Sequence, residues 1–170
     1  MLTDRLEVRL ATEPDRAHLV ALFCDEAFME FSGGVLVPSA AERRFDEMLV
    51  RSAEIPFAKQ PIIERSTQLI VGYAGVDTFV FEGNEWLECG WRLVPEARGR
   101  GFATEAATAV LGIAGRTFEG EILAMIDPRN EASQNVARKV GFTFWKEAMI
   151  DGYLDRLYRL HLPMGAVDQS

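Results

Sequence analysis

Leu6, Val8 and Leu10 alternate with Glu7 and Arg9, the two-residue period of a strand with one face buried. The period then lengthens. Thr12, Pro14 and Asp15 open a helix on which Leu19, Leu22 and Phe23 recur at helical spacing, with His18 as a surface or boundary residue. Phe28 and Phe31 predict a short further helix, broken at Gly33 and Gly34. Ser39 and Glu42 have the spacing of a capping box, which predicts a long helix to about Ala53 with Phe45, Met48 and Leu49 facing inward. From about Ala58 strand-like runs return. Residues 61–64 and 68–81 read as strands around a turn at 65–67, residues 82–85 turn again, and residues 86–94 form the third strand of an antiparallel run.

Beyond residue 101 the helical period reappears, with Phe102, Ala106, Val110 and Ile113 on one stripe. Residues 122–126 carry no polar interruption and read as a central strand buried on both faces. Asn130 is placed to cap a helix to about Val140, and Gly141 is its stop. Residues 142–145 and 157–162 close the chain as two strands around Asp151 and Gly152, and residues 164–170 are expected to fray. Three consecutive hairpin-linked strands after helices exclude a doubly wound fold. A mixed sheet follows, with parallel pairing only where the helix after residue 101 crosses over between strands.

At 170 residues and 19.0 kDa the chain is expected to be one domain, residues 1–170, with a core of its own. Its net charge of -8 argues against nucleic acid as the main partner and is compatible with a cationic amine substrate. Cys24 and Cys89 have no metal-like spacing and read as reduced, buried thiols, so no metal is expected. With no apolar leader and no run of membrane-spanning length, a cytoplasmic location is the expectation.

The chemistry concentrates at residues 93–105, where Arg98-Gly99-Arg100-Gly101 joins a strand to a helix. Backbone N–H groups at such a turn hold phosphate, and glycine permits both positive φ and a close approach. A dinucleotide fingerprint fails, because Thr104 stands at its third glycine position, and no Gly-Lys-Ser/Thr completes a Walker loop. By itself the turn can equally be a tight strand-to-helix connection with solvated arginines. Its Arg98, Gly101 and Ala103 fit Arg-x-x-Gly-x-Ala, which resembles the acyl-CoA pyrophosphate loop of the GNAT superfamily of N-acyltransferases.

The resemblance widens over residues 127–142, Asp-Pro-Arg-Asn-Glu-Ala-Ser-Gln-Asn-Val-Ala-Arg-Lys-Val-Gly-Phe, and over the strand Glu88-Cys-Gly-Trp91 and the opening Thr3-x-Arg5-Leu6. These segments resemble the branch of ribosomal-protein N-terminal acetyltransferases (RimJ/RimL-like). The resemblance implies an α/β fold of GNAT type, in three layers: a mixed, mostly antiparallel sheet of about seven strands, helices on both faces, and a splayed parallel strand pair. It implies acetyl-CoA as cosubstrate, a protein N-terminus or small-molecule amine as acceptor, and a homodimer as a family-level expectation. Leu93 and Val94 would pair with the pantetheine amides, Arg98, Gly99, Arg100, Gly101, Phe102, Ala103 and Thr104 would surround the pyrophosphate, and Asn130 would reach the pantetheine. Arg138 and Lys139 would meet the adenosine 3'-phosphate, or else are solvated residues near a helix C-terminus.

For the transfer itself, direct attack in a ternary complex needs a carboxylate to take the amine proton and an N–H to hold the oxyanion. Glu88 is the first candidate for the base, a solvated strand residue being its other reading, with Asp127 and Asp151 in reserve. Val94 is the expected N–H donor. The tyrosine that many members place after the second motif is missing from residues 141–145, so Ser133, which matches the serine of the ribosomal-protein branch, is the candidate acid. Tyr153 and Tyr158 are expected to pack in the core. The second functional class is a GNAT-fold module that binds acyl-CoA without turnover.

Overall fold

The computed structural model describes residues 1–163. Seven strands form one sheet in the order β1-β2-β3-β4-β5-β7-β6, where β1 is Leu6–Val8, β2 Gln60–Glu64, β3 Leu69–Phe81, β4 Asn84–Leu93, β5 Gly120–Ile126, β6 Thr143–Ile150 and β7 Tyr153–Leu162. Helices α1 (Arg16–Phe23), α2 (Glu26–Met29) and α3 (Pro38–Glu54) cover one face. Helices α4 (Phe102–Ala114) and α5 (Glu131–Val140) cover the other. Every neighbouring strand pair is antiparallel except β4 and β5. This is the mixed α/β fold, with helices on both faces, that the GNAT resemblance implies.

Each face has its own core. Phe102, Ala106, Val110 and Leu111 of α4 pack on Val71, Ala74, Val76, Cys89 and Leu93. Leu19, Phe23, Phe28, Ala41, Phe45 and Met48 enclose Tyr73 on the opposite face. Strand β5 is buried along Ile122, Leu123 and Ala124, as its uninterrupted apolar run predicts.

Several local expectations are corrected. The helix expected from Ser39 begins at Pro38 with Val37 as N-cap, and no side chain caps it; proline at the first helical position has its φ already set and loses no hydrogen bond. Helix α1 starts one turn late, because Glu13–Asp15 forms a 3-10 turn in which the Asp15 carboxylate accepts from the Thr12 N–H at 2.8 Å and from Arg9. Strand β1 stops at Val8, leaving Leu10 exposed. The last two strands extend well beyond residues 142–145 and 157–162, into a hairpin turned by Asp151 and Gly152 at φ 49° and 87°. Its outer half mixes polar and apolar residues without a clear period, so the sequence pattern marks only the buried ends.

Candidate active site

Strands β4 and β5 pair at Leu87↔Ile122 and Glu88↔Leu123 and then part. Beyond that point the edge of β4 faces an open cleft of about 620 Å³, bounded by the end of β5, the first turns of α4 and α5, α2 and the β6–β7 hairpin.

The α4 end of the cleft is a backbone cradle. Gly99 and Gly101 hold φ of 73° and 82°, conformations that side chains disfavour, and a Cβ on Gly99 would meet nothing within 4 Å. The first N–H of this stretch to find an acceptor is that of Glu105, on the Gly101 carbonyl at 3.1 Å. The N–H groups of Gly99 to Thr104 therefore stay free at the positive end of a helix. Gly99, Gly101, Phe102, Ala103 and Thr104 all line the cleft. A pyrophosphate fits that set of donors.

The two arginines of this turn are engaged elsewhere. Arg100 does not line the cleft; it forms an ion pair with the buried Glu64 and lies 4.3 Å over the Phe102 ring, holding Glu64 below the usual carboxylate range. Arg98 lines the cleft but its Nε donates to the Leu93 carbonyl at 3.2 Å and its guanidinium lies 3.4 Å from Glu30. It ties the turn to β4 and to the end of α2.

Asn130 caps α5, its Oδ1 accepting from the Ser133 N–H at 3.0 Å, which leaves the amide NH₂ for the cleft. Ser133 lines the cleft, and its hydroxyl has no hydrogen bond among the described residues. Lys139 also faces the cleft. Arg138 does not; it turns to Asn135 and to a separate hollow walled by Phe144 and Tyr158.

The expected oxyanion donor is corrected by strand register. The Val94 N–H donates to the Val71 carbonyl at 2.9 Å and is not available to the cleft. Two-residue alternation then turns the backbone groups of Trp91 and Leu93 toward the side that β5 has left.

Glu88 is not the solvated residue of its alternative reading. It is 8% exposed, and its carboxylate accepts from the Lys59 ammonium at 3.0 Å. A Cβ on Gly90 would lie 2.9 Å from Glu88 Oε1 and 3.2 Å from Lys59 Cε, so glycine makes room for the pair. Burial alone would lower the Lys59 ammonium, but Glu88, then Tyr73 and Asp77, hold it above its ordinary value. The same burial pushes the neighbouring Cys89 thiol far up and leaves it inert.

Two further carboxylates meet Glu88 across the splay. Asp127, at the end of β5, is paired with Arg129 at 2.6 Å and held low by it. Asp155 reaches the cleft from β7 and has no basic partner among the described residues. Burial, with Asp127 and Glu88 nearby, pushes its carboxyl up to about 6. The sequence offered no motif for Asp155; the signal is long-range pairing, with Ile126↔Arg156 bringing β7 beside the end of β5. Asp151 lines the same cleft at the hairpin tip.

The tyrosines divide. Tyr158 is buried and donates to Gln134 Oε1 at 3.2 Å, as a core residue. Tyr153, expected in the core, is 57% exposed and reaches over the cleft to donate to the Gly33 carbonyl at 3.2 Å. The hairpin that carries it is longer than its apolar end implied. Among the described residues no cluster of His, Cys, Asp or Glu is arranged to hold a metal, and no helix is long and apolar enough to cross a membrane.

A splayed parallel pair beside an anion cradle of free N–H groups defines an acyl-CoA-dependent transferase. Residues 5–143 match the acetyltransferase (GNAT) domain family, and the chain belongs to it. It is an acyltransferase with acetyl-CoA as cosubstrate. The uncharacterized protein YkkB of Bacillus subtilis is 31% identical over 150 residues, 86% of each chain. Among solved structures, an acetyltransferase from Agrobacterium tumefaciens superposes with a TM-score of 0.79 at 23% identity, covering 95% of this chain and 93% of that one. The ribosomal L7/L12 α-N-protein acetyltransferase RimL, in complex with coenzyme A, gives 0.77 at 16% identity, covering 95% and 97%.

Proposed function

We propose that the protein acetylates a primary amine entering from the α1–α3 face, with Asp155 taking the proton from that amine. The observation that carries this reading is the convergence of Glu88, Asp127 and Asp155 from three strands at the splay, where Asp155 alone lacks a cationic partner among the described residues. A base whose carboxyl titrates at about 6 is ionised near neutrality yet remains more basic than an ordinary aspartate. Glu88, neutralised by Lys59, shapes the field around it.

Acetyl-CoA brings the thioester carbonyl to be attacked. The cradle from Gly99 to Thr104 fits its pyrophosphate, and the Asn130 amide is free for the pantetheine arm. The N–H groups of Trp91 and Leu93 point to the side where the carbonyl oxygen would gain charge. Ser133, with its hydroxyl free at the first turn of α5, is placed to hydrogen-bond the departing sulfur. The sequence of residues 127–142 supports a place in the ribosomal-protein acetyltransferase branch.

The test is thiol release from acetyl-CoA with primary amines and short peptides, the acetylated product being identified by mass. Amine-dependent release with an N-acetyl product is expected. Binding of acetyl-CoA with no product from any amine would overturn the reading.

A further inference from the structure

Six arginines form no ion pair with a carboxylate among the described residues: Arg43, Arg44, Arg65, Arg92, Arg116 and Arg138. Four of them are exposed, as solvated arginines ordinarily are. The two that are half-buried, Arg44 of α3 and Arg92 of β4, line the same cleft. In a chain with 26 acidic and 18 basic residues, two half-buried guanidiniums without a counter-ion among the described residues are an anomaly of placement.

Their partners are soft. Arg92 lies 5.8 Å over the Phe28 ring and 5.7 Å over the Tyr73 ring, with Nη1 2.9 Å from the Met29 sulfur. Arg44 lies 5.4 Å over Phe23. Aromatic faces and a thioether steady a guanidinium but leave most of its N–H fork unspent. Both arginines act on one buried atom. Burial would raise the Tyr73 phenol, yet Arg92, Arg44 and Lys59 together hold it below its ordinary value. Ser32, on the same cleft, keeps its hydroxyl buried with no partner among the described residues.

The phosphates of acetyl-CoA do not account for the pair. Arg92 follows Glu88 and Gly90 on the sheet face covered by α1–α3, whereas the free N–H cradle belongs to α4 on the other face. Arg92 and Glu88 are four residues apart on one face of β4, about 13 Å along the strand, so the anion site and the splay where Asp155 lies share one wall.

We infer that Arg44 and Arg92 form an oxyanion subsite that selects amine acceptors bearing a carboxylate, such as an amino acid or an acidic peptide. This rests on the transferase reading above. The guanidinium forks grip the carboxylate while the amine lies toward Asp155. The acceptor is thus zwitterionic, not a polycation, although the chain as a whole is acidic.

The experiment compares ω-amino carboxylates of graded length, and common amino acids, with the matching amides, phosphonates and diamines as acceptors. For the preferred length, kcat/KM for the carboxylate exceeds that for the amide about tenfold or more, because an unpaired buried donor set rejects the analogue that cannot accept. Arg92→Gln and Arg44→Gln each narrow that gap, and Arg92→Lys, which keeps the charge without the fork, restores part of it. Phosphonates preferred over carboxylates would identify a phosphate-bearing acceptor and overturn the carboxylate assignment. Amides or diamines used equally well, or a gap unchanged in both variants, would overturn the subsite while leaving the transferase standing. If no amine is acetylated, the subsite is still read by calorimetric titration of the wild type with an N-acetyl ω-amino carboxylate and its amide. Equal binding of the two overturns it, and binding of the carboxylate alone, lost in folded Arg92→Gln, upholds it.

Discussion

The Lys59 ammonium lies 3.0 Å from the Glu88 carboxylate, across the bare backbone of Gly90. The pair sits where β4 leaves β5, so a charge that would otherwise face the cleft is neutralised from behind. That arrangement separates the roles of the carboxylates. Glu88 and Asp127 each have a cation, and Asp155, on β7 at the far side of β5 from Glu88, has none among the described residues.

Breaking the pair from one side should cost stability. Glu88→Gln leaves the Lys59 charge buried with only Asp77 at 3.6 Å, and removing one member of a buried pair costs about 3–5 kcal/mol. In a domain of this size that lowers Tm by about 6–20 °C. Calorimetric melts of Glu88→Gln, Lys59→Met and the double variant check this, and a double variant no less stable than either single one is expected.

Asp155→Asn should lower kcat about a hundredfold or more while leaving acetyl-CoA binding intact. In the wild type, kcat/KM rises as pH increases through about 6, since the base acts only when ionised, and the variant loses that limb. Stability moves the other way. The folded protein keeps a proton on Asp155 that the unfolded chain has released, so wild-type stability falls as pH rises from about 4 to about 6. Asn removes this loss, and with solvent screening at a half-buried site the gain at neutral pH is about 1 kcal/mol, absent below about pH 4.

The sequence makes the glycine turn and the order of elements along the chain legible, because both rest on local signals: Gly99 and Gly101 at a strand-to-helix turn, and periods that switch between two and about 3.6 residues. Glu88 is legible as a cleft residue by alternation from Cys89 and Trp91. Lys59 and Asp155 are not, since each acquires meaning from a strand distant in sequence. The Val94 expectation fails on parity. The β3–β4 ladder runs without a break from Phe81↔Asn84 to Gly72↔Leu93, and its next step spends the Val94 N–H on the Val71 carbonyl. A one-residue difference in register exchanges which groups face the cleft.

Gly101→Val tests the cradle. At φ 82° a β-branched residue is strained, and its Cβ would crowd Arg5 Nη2 at 3.3 Å, so the turn that aims the N–H groups must shift. Acetyl-CoA at about a hundred times its Kd should stabilise the wild type by about 2.7 kcal/mol, a Tm rise of roughly 5–10 °C, and should not move Gly101→Val. Gly83→Ala, strained at φ 75° in the remote β3–β4 turn, is the control that must lose stability yet keep the full acetyl-CoA shift. A shift retained by Gly101→Val would remove this turn from cofactor binding.

Lys139 and Arg138 are adjacent in sequence and both basic, yet α5 aims them at different hollows. If a phosphate of acetyl-CoA meets this helix, it meets Lys139. Lys139→Gln should therefore raise the KM for acetyl-CoA several-fold, losing one exposed charge contact of about 1 kcal/mol or less, and the effect should fade as salt is raised. Arg138→Gln should leave that KM and its salt dependence unchanged, because its guanidinium turns to Asn135. Steady-state kinetics at two ionic strengths distinguish the pair. Equal effects of the two substitutions would mean that the helix acts only through its overall charge, and a larger effect at Arg138 would reverse the assignment of faces drawn from the cleft.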